Sequence, residues 1–238
     1  MARKSSNKSF GIILGGVAII GIAIVASVTN RPAKTMTLDP ATLPAIAAAG
    51  ILKGNPDAPV QVLEFADFEC PGCGYYASVT GPDVLKRLVE TGEISFRFFD
   101  FPLDIHQNAI PAHNAGQCAN EQGKFWEMHD LIFAGQFEWN TQATKNPKKL
   151  FKSYAQNAQL DVAKWEECYD SGRMLPQILA NRREGERLRV TQTPTFIIGG
   201  RMVTGAIPYD QFRAYVLEAK VAAELARPGT GATNVPVP

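Results

Sequence analysis

Apolar and polar positions divide this chain into stretches of different period. From residue 10 to residue 28, nineteen positions run without a charge, and Ser27 is the one polar side chain among them. A helix of that length roughly spans the ~30 Å hydrocarbon core of a bilayer. Residues 31–49 are rich in Pro, Ala and Thr with no strong period, the pattern of a tether. Residues 60–66 (Val-Gln-Val-Leu-Glu-Phe-Ala) form a short, mostly apolar run of β-branched and aromatic side chains, which predicts a buried central strand. Cys70-Pro71 then opens a helical pattern to about Glu90. Pro71 suits a first helical turn, where a missing N–H costs nothing. Gly81-Pro82 predicts a kink, and Thr91-Gly92 predicts the end. Residues 94–99 alternate as a second strand. A β-α-β succession implies a right-handed crossover and a parallel pair.

Beyond residue 104 the period lengthens. Amphipathic helices are predicted over 114–133, 148–158 and 161–169, the last capped by Asp161 and stopped near Gly172. Strand signals return at 195–198. Gly199-Gly200 predicts a hairpin turn, residues 201–204 the returning strand, and Pro208 the start of a last helix to about Leu225. The expected organisation is a basic segment 1–9, a transmembrane anchor 10–28 and a linker 29–49. An α/β unit from 50–104 and 190–225 follows, with a helical domain 105–189 inserted and a disordered tail 226–238.

Charge and composition narrow the function classes. A formal net charge of +1 gives no electrostatic grip on nucleic acid. Arg3, Lys4 and Lys8 precede the apolar run, and no Asp or Glu occurs before Asp39. The basic flank is therefore expected in the cytoplasm and the remainder outside, in a single-pass arrangement at the cell membrane. Arg31 and Lys34 on the far side weaken that bias. A cleaved signal peptide, processed near Val25-Ala26-Ser27, is the alternative, and it too exports the chain.

Four cysteines suit one catalytic and one structural pair. Cys70 and Cys73 stand one helical turn apart, so their sulfurs can join or separate with little backbone movement. At a helix N-terminus, free N–H groups and the helix dipole favour thiolate on Cys70, making it the nucleophile. Cys73, a turn inside, is the expected resolving thiol. A half zinc site and a structural disulfide are the alternatives; the chain lacks a second Cys-x-x-Cys or His-x₃-His pair to complete zinc. No metal or cofactor is expected. Glu64, inside the apolar strand, is expected to be partly buried with a raised pKa and to relay protons for Cys73; a carboxylate reaching solvent or a lysine is the other reading. Thr193-Pro194 stands at a strand start, where proline is tolerated, and a cis bond there would free the Thr193 backbone to pair with an extended peptide. Cys118 and Cys168 lie in two predicted helices and are expected to form a structural disulfide, worth roughly 4 kcal/mol on the chain-entropy model. A second redox pair and two buried thiols remain open. His106, His113 and His129 lack ligand spacing and read as surface or satisfied residues. Phe125, Trp126, Phe133, Phe137 and Trp139 read as packing, in part as a client groove. The basic run from Arg182 to Arg189, alternating with Glu184 and Glu186, reads as a solvated helix face.

These residues resemble the DsbA-like thiol-disulfide oxidoreductases, in particular the membrane-anchored DsbA/BdbD branch. The resemblance covers about residues 50–225 and rests on four phrases in order. They are Phe65-Ala66-Asp67-Phe68-Glu69-Cys70-Pro71-Gly72-Cys73, Phe99-Asp100-Phe101-Pro102-Leu103, Cys118 through Gly123-Lys124-Phe125-Trp126, and Thr193-Pro194-Thr195-Phe196. The resemblance implies a thioredoxin-like α/β fold with an inserted helical domain, Cys70 as exposed nucleophile, Cys73 as its partner, Glu64 as buried acid, Pro194 as a cis-proline and Thr193 as its client-facing neighbour. It also implies exported, cysteine-containing clients and a quinone-linked membrane re-oxidase of DsbB or VKOR type. One position departs: Gly72 stands where the best-known oxidase has histidine. Without that ring, and with Glu69 alongside, the Cys70 thiolate is expected to be less stabilised. A reductase or isomerase, for example in cytochrome c maturation, therefore stays open, as does a membrane-held binding module with structural cysteines.

Overall fold

The computed structural model describes residues 35–37 and 50–226. The expected anchor 10–28, most of the linker and nearly all of the tail lie outside the described residues. Among the described residues no helix is long and apolar enough to cross a membrane.

The sheet has six strands: β1 (Thr35–Thr37), β2 (Ile51–Lys53), β3 (Val60–Ala66), β4 (Ile94–Asp100), β5 (Thr195–Ile198) and β6 (Arg201–Thr204), in the order β1-β6-β5-β3-β4-β2. β3 and β4 pair in parallel, as the β-α-β pattern requires, and the other pairs are antiparallel. β1 falls inside the stretch expected to be a tether. Three residues are too few to show a period, and pairing with β6 makes them a strand. β2 likewise gains its strand character from β4.

The chain between β3 and β4 stays helical from residue 71 to residue 89, here α1. The helix runs on through Gly81-Pro82. Pro82 offers no N–H, and the helix widens to π turns at Tyr76–Thr80 and Leu85–Val89. The Gly81 N–H reaches back to the Tyr76 carbonyl. Between β4 and β5 come α2 (Ala109–Asn120), α3 (Phe125–Ala134), the short α4 (Gln136–Trp139), α5 (Lys148–Asn157), α6 (Val162–Ser171) and α7 (Leu175–Arg187); α8 (Tyr209–Leu225) follows β6. The single helix expected over 114–133 is two, broken at residues 121–124, where Gly123 takes a φ of +70° that ends α2. The Asp161 carboxylate caps α6 by accepting from the Lys164 N–H.

Strand alternation sends side chains to two buried faces. Leu63, Phe65, Phe99 and Ile197 pack with Leu188 and Val190 beyond α7. α7 approaches closely because residue 185 is glycine: a Cβ there would stand 2.6 Å from the Phe101 ring and 2.9 Å from Phe65. On the other side, Ala66 and Phe98 join Phe68, Cys73 and the helical residues Phe125, Phe133, Trp139 and Trp165 in one core cluster. Phe137, expected to pack inside, is 83% exposed. α4 is a single turn whose buried face holds Gln136 and Trp139, which turns Phe137 outward. Arg182 and Arg187 pair with Asp104, Glu186 and Glu184 on the α7 surface.

Candidate active site

Cys70 is the N-cap residue of α1, in extended conformation, with Pro71 in the first turn. β3 ends at Ala66, and a tight loop follows: the Cys70 N–H donates to the Asp67 carbonyl, and the Gly74 N–H to the Cys70 carbonyl. No side chain caps this end of α1, which leaves its first N–H groups free to face the Cys70 sulfur. The Cys70 pKa is lowered to about 6. The largest cause is the hydrogen bond with the Cys73 thiol; burial opposes it, and contact with Thr193 and the N–H groups of Cys73 and Gly72 support it. Cys73 is fully buried and behaves oppositely. Burial, then the Cys70 sulfur and then Glu64 push its thiol well above the usual range. Both thiols are free in this structure.

The Thr193-Pro194 bond is cis. It brings the Thr193 carbonyl to 3.4 Å from the Cys70 sulfur. Gly72 lies under the same proline: a Cβ on it would meet Pro194 Cδ at 3.3 Å, the Cys70 sulfur at 3.7 Å and the Thr193 carbonyl at 3.7 Å. Cys70, Gly72, Thr193 and Pro194 thus converge on one surface from opposite ends of the sequence. Glu64 sits behind them in β3, between Phe98 and Phe196 on the neighbouring strands. It is 2% exposed, and burial raises its pKa to about 8. Cys118 and Cys168 are joined by a disulfide between α2 and α6.

A clamp around the Cys70 loop has no counterpart in the sequence pattern. Asp67 Oδ1 accepts the Glu69 N–H at 2.8 Å, and Oδ2 accepts the Leu103 N–H at 2.8 Å. His106 Nδ1 stands 2.7 Å from the same oxygen, and this contact raises the His106 pKa. The Asp67 N–H in turn points at the Cys73 sulfur, 3.5 Å away. Glu69 is buried, and its carboxylate accepts the N–H groups of Asn108 and Thr141. Gln136 Nε2 donates to the carbonyls of Phe68 and Cys70 at 2.7 and 3.0 Å. Apart from the Asp67–Glu69 bond within the loop, and the Asp67–Cys73 contact, these partners lie between 36 and 72 positions apart, and Asp67 and Glu69 inside the motif were the one local signal. The remaining histidines are internal. His113 pairs with Asp100 at 2.7 Å, with Gln117 and Asn181 on the other carboxylate oxygen. His129 pairs with Asp130 at 2.7 Å.

A strand, a Cys-x-x-Cys helix and a cis-proline facing it are on one surface, and the family model described as Thioredoxin matches residues 47–218. The chain belongs to the thioredoxin family. Among solved structures, BdbD from Bacillus subtilis (oxidised) superposes with a TM-score of 0.67 at 19% identity, over 80% of this chain and 100% of that one. Disulfide bond formation protein D of Bacillus subtilis is 22% identical over 71% of this chain and 78% of its own length. The Na(+)/H(+) antiporter NhaA 3 of Salinispora tropica is 35% identical over 76% of this chain but 26% of its own length. This thioredoxin-family chain thus spans about a quarter of the antiporters it matches. Its fold is of the DsbA/BdbD kind.

Proposed function

We propose that the chain is an extracytoplasmic thiol-disulfide oxidoreductase that passes the Cys70–Cys73 disulfide to cysteines of exported proteins. The observation that carries this reading is the asymmetry of the two sulfurs: Cys70 is partly open and favoured as thiolate, Cys73 is buried and favoured as thiol. In the disulfide form a client thiolate attacks Cys70 Sγ. The Cys70–Cys73 bond breaks, Cys73 leaves and takes a proton from Glu64, and a client–Cys70 mixed disulfide forms. A second client thiolate attacks the client sulfur of that bond, and Cys70 leaves as thiolate. The client loses two electrons and the pair gains them, so a two-electron oxidant must restore the disulfide. A quinone-linked membrane partner of DsbB or VKOR type fits that need. Thr193 and Pro194 hold the client's extended backbone beside Cys70.

The Cys118–Cys168 disulfide supports an oxidising compartment. In our reading residues 10–28 anchor the chain in the membrane, residues 50–104 and 190–225 form the catalytic unit, and residues 105–189 form the inserted helical domain.

The deciding experiment equilibrates the full chain in glutathione buffers and assays insulin reduction in dithiothreitol. A potential well above about −180 mV supports the oxidase. Gly72, where histidine would further favour thiolate, makes a reductase or isomerase the second reading, and a value near about −270 mV selects it. No acceleration of insulin reduction, with no effect of Cys70→Ser, leaves a binding module.

A further inference from the structure

The contacts that favour a thiolate on Cys70 all depend on where its sulfur sits, over the open N-terminus of α1. That position follows from the Cys70 backbone, extended at φ −70° and ψ 122°. No side chain caps α1, and residues 67–69 before Cys70 belong to neither strand nor helix. The N-cap conformation therefore needs a hold from elsewhere.

The side chain that reaches the Cys70 main chain is Gln136, from α4 in the helical insertion. Its amide nitrogen donates to the Phe68 carbonyl at 2.7 Å and to the Cys70 carbonyl at 3.0 Å, which uses both N–H groups. Gln136 is buried, and the Phe68 carbonyl has no other partner among the described residues. Without this donor a buried carbonyl would stand unpaired beside the N-cap. Gly74 makes room for the reach: a Cβ there would stand 2.7 Å from Gln136 Oε1 and 3.2 Å from Nε2. The turn that carries the amide is itself anchored. Trp139, fully buried on the same face of α4, donates to the Ile132 carbonyl at 2.8 Å and packs edge-on against Phe151. Glu69 is tied to the same region through Asn108 and Thr141, but those bonds end on its carboxylate and leave the Cys70 main chain untouched.

We infer that Gln136 is a positioning residue for Cys70: through the gap left by Gly74, its amide holds the N-cap conformation that turns the sulfur toward the N–H groups of Gly72 and Cys73. The inference rests on the thiol-disulfide exchange proposed for Cys70. It gives the inserted helices a part in setting the reactivity of the pair, carried by one side chain. Reduced Cys70 carries the charge and the disulfide carries none. Holding the sulfur over those N–H groups therefore favours the reduced form and makes the disulfide the stronger oxidant. No bond to Gln136 forms or breaks.

The test compares the full chain with Gln136→Met, which keeps the length and removes the donors, with Gly74→Ala, and with the double variant. Gly74→Ala introduces the better helix former, and its new methyl displaces the amide without deleting it. Thiolate absorbance against pH, the equilibrium with glutathione and the urea midpoint are measured on each. Either single variant should raise the Cys70 pKa from about 6 by about one unit, the equivalent of one hydrogen bond to a charged group. The glutathione equilibrium at pH 7 should shift about fivefold toward the protein disulfide. In the double variant Gly74→Ala should add less than a twofold further shift, because the amide it displaces is gone. A lower urea midpoint with an unshifted Cys70 titration and a glutathione equilibrium within twofold would mean that Gln136 only docks the insertion, and the inference would be wrong. Shifts that add in the double variant would overturn it too, since each change would then act on α1 by itself. Should Gln136→Met fail to fold, Gly74→Ala decides by the same limits. A wild-type chain that does not accelerate insulin reduction overturns the exchange reading instead, whatever the Cys70 titration does in the variants.

Discussion

The Cys70 sulfur lies 3.4 Å from the Thr193 carbonyl oxygen, and the Thr193 hydroxyl is buried beside it with no hydrogen-bond partner among the described residues. A reduced, neutral Cys70 can donate to that carbonyl. Once Cys70 is charged, the hydroxyl becomes the group able to donate to it. Thr193→Val keeps the shape and removes that donor. The Cys70 pKa should rise above 6 by up to about one pH unit, the equivalent of one hydrogen bond to a charged group. Thiolate absorbance at 240 nm against pH reads this directly. An unshifted titration would show that the hydroxyl serves packing alone.

Gly72 separates Cys70 from Cys73 and lies against Pro194. Gly72→His places an imidazole by the Cys70 sulfur, where its charge favours thiolate. The Cys70 pKa should fall below 6 and the reduction potential should rise, by about 30 mV for each tenfold gain in thiolate stability of this two-electron couple. The new Cβ would stand 3.3 Å from Pro194 Cδ, so some stability should be lost. A lower thiolate pKa with an unchanged potential would mean that the oxidised form gained as much as the reduced one.

How much of this was legible depends on distance along the chain. β3, β4 and the start of α1 could be read because a run of seven apolar-rich residues and a Cys-Pro step carry their own signal. The hairpin of β5 and β6 was legible from Gly199-Gly200. β1 and β2 were not, since three residues carry no period and their partners are far away. The π turns of α1, on either side of Gly81-Pro82, were not legible either, since no local pattern distinguishes them from ordinary helical turns. Within the site, Cys70, Cys73, Glu64 and Thr193-Pro194 announced themselves by motif or by a charge in an apolar strand. The clamp of His106, Asn108 and Gln136 on the Cys70 loop did not, because each contact joins loops that meet only in the fold.

The Cys118–Cys168 disulfide closes a loop across 50 positions and pins α2 to α6. Replacing both cysteines by alanine should cost about 4 kcal/mol by loop-closure entropy, read as a lower urea midpoint. Neither sulfur is bonded to the Cys70–Cys73 pair, whose thiols are both free, so the Cys70 titration should stay near 6. A variant with normal stability but an altered titration would make the second pair a redox partner instead of a brace.

Glu64 makes folding depend on pH in a direction opposite to a salt-bridged acid. In the unfolded chain it ionises near 4.5; folded, it keeps its proton to about 8. Folding therefore takes up a proton between those values, and stability from this group is full below 4.5 and falls as pH rises to 8. The loss across that window is on the order of several kcal/mol, since each pH unit between the two ionisations is worth about 1.4 kcal/mol. Glu64→Gln removes the dependence. Measured on the oxidised protein, so that Cys70 and Cys73 do not titrate, urea unfolding should show no advantage for Glu64→Gln at pH 4.5 and a growing one up to pH 8. Parallel pH profiles for the two proteins would mean that Glu64 ionises in the folded protein as readily as in the unfolded chain, and that burial does not hold its proton.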